Sequence, residues 1–88
     1  MLMVDPKVVE FISEVKKRHE TEILAKKNVV GLGVGFKLRG GALSDELSLV
    51  VFVSQKLPNA VVSPEDRIPL FLDGVPVDVQ EVGKIKAF

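Results

Sequence analysis

In the run Val29-Val30-Gly31-Leu32-Gly33-Val34-Gly35-Phe36, every second residue from Gly31 onward has no side chain. A period of two belongs to a β-strand, whose successive side chains point to opposite faces. The run therefore predicts a strand with one apolar face, Val30, Leu32, Val34 and Phe36, and one bare face, Gly31, Gly33 and Gly35. Glycine inside a strand marks a place where something else approaches closely. That neighbour is either internal, with Val50 and Phe52 of the next strand leaning across the bare backbone, or a partner surface lying in the trough. Gly31, Gly33, Gly35, Val50 and Phe52 are accordingly the expected docking face.

The same glycines do not make a nucleotide site. They read G-x-G-x-G, whereas the dinucleotide fingerprint needs its third glycine one position later, where Phe36 stands. That fingerprint also joins a strand to a helix, and here another strand follows.

The rest of the chain places this strand within an α+β domain spanning residues 1–88. Asp5 and Pro6 read as the N-cap and first position of a helix over about 5–27, with Val8, Phe11, Ile12, Val15 and Ile23 on one face. Glu14, Arg18, Glu22 and Lys26 form an i,i+4 ladder along its border, and Asn28 is the expected stop. Strands follow at about 29–38, 47–55, 68–72 and 75–82. Gly40-Gly41 marks a turn, with a polar loop running to Glu46. Leu49-Val50-Val51-Phe52-Val53 is apolar on both faces and so belongs in the middle of a sheet. Asp73-Gly74 is a hairpin signal, and Pro69 and Pro76 push that hairpin toward a sheet edge. The expected architecture is one N-terminal helix on a three- to four-stranded, mainly antiparallel sheet, in the order α-β-β-β-β.

Composition narrows the chemistry. A chain that is 47% hydrophobic can offset its ordering entropy by burial, so disorder is not expected. Without cysteine there is no disulfide, thiol nucleophile or zinc–thiolate site, and no metal or cofactor is expected. His19 is the single histidine, and it falls on the apolar helix face. The expectation for it is a half-buried side chain bonded to a carbonyl or to Glu22. A small enzyme using His19 as base is the competing reading, with Ser13, Ser44, Ser48, Ser54 and Ser63 as candidate nucleophiles. No catalytic residue is assigned.

Twelve basic and twelve acidic residues cancel, which removes the long-range attraction that nucleic-acid binding uses and favours self-association. A small nucleic-acid-binding domain remains the alternative on the helix-plus-sheet layout and the clusters Lys16-Lys17-Arg18 and Lys26-Lys27. No signal peptide or membrane span is expected, and a soluble, cytoplasmic protein follows by default.

The strand segments also carry a family likeness. Val29 to Lys37 resembles the "VVGVGVGYK" opening of a group of poorly characterised bacterial proteins related to trypsin-like peptidases. Glu46 to Val53 with Lys56-Leu57-Pro58, and Ile68-Pro69 with Asp73 to Val79 and Glu81-Val82-Gly83, resemble the same group in order and spacing. The resemblance implies a module that precedes a chymotrypsin-fold catalytic domain whose histidine, aspartate and serine lie beyond this chain. It implies a non-catalytic accessory role, as a prodomain or positioning element, with a protein partner: the chain's own downstream domain or a second copy.

Overall fold

A computed structural model describes residues 4–83. The outermost parts of the expected domain, residues 1–3 and 84–88, lie outside that range. The helix α1 spans Pro6–Leu24. The Asp5 carboxylate accepts the Lys7 amide at 2.9 Å, which satisfies one of the free donors at the helix start. The helix ends three residues earlier than its periodicity predicts. Asn28 takes a left-handed φ of 77°, and its side chain donates to the Gln55 carbonyl and accepts the Ser54 hydroxyl and the Gln55 amide. These bonds turn the chain out of the helix and onto the sheet.

Four strands follow: β1 (Val29–Arg39), β2 (Ala42–Val53), β3 (Phe71–Leu72) and β4 (Val75–Glu81). They lie in the order β1-β2-β4-β3. β1 and β2 are antiparallel, β2 and β4 parallel, and β3 and β4 antiparallel. The fold is the expected α+β, one helix followed by a four-stranded mixed sheet.

Two local differences have physical causes. The residues before Glu46 are strand and not loop, because Gly40 and Gly41 both take positive φ and close a two-residue turn that pairs Arg39 with Ala42. The polar Ser44 sits where the register slips, its hydroxyl donating to the Lys37 carbonyl at 2.7 Å and accepting the Glu46 amide. A second slip lies between Val29 and Gly31. It leaves Val30 exposed and lets Val29 pack against the core in its place.

The core lies between α1 and one face of the sheet. Ile12, Val15 and Ile23 meet Leu49, Val51 and Val53 of β2 and Val75 and Val77 of β4. Val8 and Phe11, expected on that buried face, are 41% and 49% exposed, so only the later part of α1 is fully covered. β3 is shorter than predicted. Pro69 has no amide to give a ladder, and regular pairing is confined to Phe71↔Pro76 and Leu72↔Val75.

Candidate functional site

The bare strand face comes first. Phe52 stands opposite Gly31, and Val50 opposite Gly33. A Cβ on Gly31 would meet the Phe52 ring at 3.7 Å, one on Gly33 would meet it at 3.3 Å, and one on Gly35 would meet Val50 at 3.5 Å. Phe52 and Val50 therefore lie over the glycines, so the internal neighbour occupies the trough. The hairpin end also bends across this face. The Leu38 amide at the far end of β1 donates to the Asp78 carboxylate of β4 at 2.9 Å, although β2 lies between those strands. Ser48, Val50 and Asp78 are buried beneath, and Phe52 is left half-buried.

His19 is half-buried as expected, but its hydrogen bond is to Asp73 and not to a carbonyl or to Glu22. Its Nε2 lies 3.0 Å from Asp73 Oδ2, and Arg18 Nη1 donates to the same oxygen at 2.6 Å. Its Nδ1 is 3.8 Å from the Glu22 carboxylate. Asp73 occupies the β3–β4 turn at φ 49°, so this cluster ties the turn to the helix across 54 residues of sequence. The His19 hydrogen bond, and then that of Arg18, hold the Asp73 carboxyl below the usual carboxylate range. Arg18 thus leaves the predicted i,i+4 ladder for a distant partner. The hydroxyls of Ser44, Ser48 and Ser54 bond elsewhere, to Lys37, Glu46 and Asn28, so the cluster gathers charge without a nucleophile among them. Its geometry is that of a clamp.

A concavity at the end of the sheet was not foreseen. It is a groove of about 420 Å³ between the ends of β2 and β4 and the connection 54–70. Val53, Ile68 and Val79 form its apolar wall, and Leu57, Val61 and Leu70 stand exposed around it. Lys27, Lys56 and Arg67 line it against a single carboxylate, Asp66. The connection is held in place from the helix end. Lys26 Nζ donates to the Glu65 carbonyl at 2.7 Å, and the Lys27 amide donates to Asp66 at 3.0 Å. The Lys56 amide is held by Glu81 at 2.7 Å. These bonds fix the walls of the groove relative to the helix end and β4. Its signal in the sequence was faint: apolar Leu57, Val61, Val62 and Leu70 scattered through a segment otherwise marked by prolines.

The family model described as NARROW LEAF 1 N-terminal domain matches residues 11–82. The chain belongs to that family. The match runs from the second turn of α1 through all four strands, and so takes in both the His19 clamp and the groove. It overturns the likeness to bacterial trypsin-like peptidase relatives, because the NARROW LEAF 1 family is a plant protein family. The description of the chain as bacterial and peptidase-associated falls with it. The motifs that carried the earlier likeness are alternating glycines, a buried β2 and an Asp-Gly turn. Those features report strand and turn geometry, and geometry alone does not fix ancestry. The NARROW LEAF 1 N-terminal domain is not a known catalytic family. A comparison with curated proteins gave no match. No helix among the described residues is long and apolar enough to cross a membrane.

Proposed function

We propose that this NARROW LEAF 1 N-terminal domain is a non-catalytic interaction module that holds an extended segment of a protein partner in the groove beneath the 54–70 connection. The observation that carries this reading is the groove's construction. It combines an apolar wall with exposed Leu57, Val61 and Leu70, and its lining includes three basic residues and one acidic one. Three basic residues against one acidic residue leave the lining with an excess of positive charge. A segment alternating large aliphatic residues with aspartate or glutamate is complementary to both features. A further domain of the same protein would be one source of such a segment.

A protein partner is favoured over nucleic acid because the other cations are engaged or dispersed. Lys16 lies 3.6 Å from Glu20, Arg18 is bound to Asp73, and Arg39 to Glu46, leaving no basic stripe along the helix.

The test is an NMR titration with short peptides that alternate leucine or valine with aspartate, against lysine-bearing counterparts. Amide shifts confined to the groove residues, for the acidic peptides alone, are expected. Val61→Asp and Leu70→Asp alter exposed positions, so they should fold normally and weaken binding about tenfold or more. Equal response to acidic and basic peptides, or shifts centred away from the groove, would end this reading.

A further inference from the structure

The outer side of β1 is an unguarded sheet edge. β1 hydrogen-bonds to β2 on one side, and among the described residues no strand pairs with the other. Between its two register slips, Gly31 to Phe36 pairs regularly with β2 and contains neither a charge nor a proline. Exposed edges are ordinarily blunted by charges, prolines, shortness or a covering element, because open amides and carbonyls invite another strand. Bulges also blunt edges, but the two register slips of β1 flank this stretch and neither falls inside it. The twelve acidic and twelve basic residues of the chain cancel, so long-range repulsion does not keep copies apart.

We propose that this edge is an interface between two copies of the chain, pairing β1 antiparallel with β1 of the second copy about a two-fold axis at Gly33. An edge paired with itself in this way is self-complementary, as a closed dimer requires. The Gly33 register sets Gly31 of one copy opposite Gly35 of the other, and Leu32 opposite Val34. Glycine then faces glycine on one side of the joined sheet, and apolar side chains meet on the helix side. No charged residue falls within the paired stretch. The groove, built on the 54–70 connection, is a separate site, so this interface and peptide binding stand or fall independently.

The register makes the proposal testable by charge. A Cβ at Gly31 or Gly35 meets its neighbours at ordinary distances of 3.7 and 3.5 Å, so neither substitution starts with a backbone clash, and circular dichroism of each variant is the check that it folds. Sedimentation velocity of the full chain, up to about 0.5 mM, should give a monomer–dimer equilibrium. The double variant Gly31→Lys/Gly35→Lys opposes like charges across the axis twice and should raise the dimer dissociation constant about tenfold. Gly31→Lys/Gly35→Glu opposes unlike charges at the same positions and should stay within about threefold of the parent. A parent that remains monomeric throughout overturns the proposal. So does association that persists equally in both variants, or is lost equally in both.

Discussion

On one side of the sheet, β3 consists of Phe71 and Leu72 alone, with Pro69 just before it and Pro76 facing it. On the other side, β1 runs for eleven residues and carries no proline. The two margins are also anchored by different forces. The β3–β4 turn is fastened to α1 by Arg18 and His19 through one carboxylate oxygen, an exposed and charge-dependent attachment. β1 is fastened by its ladder to β2 and by the Phe52 ring lying over Gly31 and Gly33. The comparison teaches that the short margin is closed to further pairing and held electrostatically, whereas the long one is open and held by packing. Salt and acid should therefore act on the first, and changes of side-chain volume on the second.

The strongest challenge to this contrast is a substitution in the shared centre. Leu49 is fully buried between α1 and the sheet, and its strand pairs with both β1 and β4. Leu49→Ala should cost about 2–5 kcal/mol in urea denaturation. Hydrogen exchange should show both margins losing protection together; survival of one alone would mean that they belong to separate cooperative units.

A smaller effect separates two glycines on the packed margin. Gly33→Val must displace a ring whose edge lies 3.3 Å from the new Cβ, and should destabilise by about 1–3 kcal/mol. Gly31→Ala meets the same ring at 3.7 Å and should instead stabilise by about 0.4–1 kcal/mol, through lost freedom of the unfolded chain. Equal denaturation midpoints for the two would remove Phe52 as the anchor.

The smallest effect belongs to the electrostatic margin. Asp73→Asn keeps a residue that tolerates the left-handed turn while removing the charge, and should lower the thermal midpoint modestly at neutral pH. Because the folded carboxyl titrates below its ordinary value of 3.8, its contribution is present above that value. It is lost as the pH falls through the lowered one. The gap between parent and variant should therefore hold from neutral pH down to the carboxylate range and close in stronger acid. A gap that stays constant throughout would show that the turn, and not the clamp, supplies the effect.

Those parts of the fold written in neighbouring residues were legible in the sequence. Asp5-Pro6 marks the helix start, Gly40-Gly41 and Asp73-Gly74 close the two hairpins, and alternation identifies β1. The prolines of the last hairpin correctly put it at a margin. What could not be read depends on residues far apart in the chain. The insertion of β4 beside β2 is a choice among strand pairings, and the apolar pattern of either strand permits several. The clamp joins Arg18 and His19 to a turn more than fifty residues later. The groove exists only once the 54–70 connection has folded back onto the helix end. The glycine trough was legible as a close approach, and Phe52 and Val50 leaning across it were one of the two neighbours the alternation allowed. The family likeness misled for a related reason, since short strand motifs recur wherever the same geometry does.

The parallel pairing of β2 with β4 also sets a timetable. The helix and the first hairpin are local and can form as soon as they leave the ribosome, but β4 comes only after the long crossover. Until then β2, apolar on both faces from Leu49 to Val53, has an open flank where β4 will sit. The nascent chain thus passes through an adhesive stage, and the arrival of β4 is what ends it.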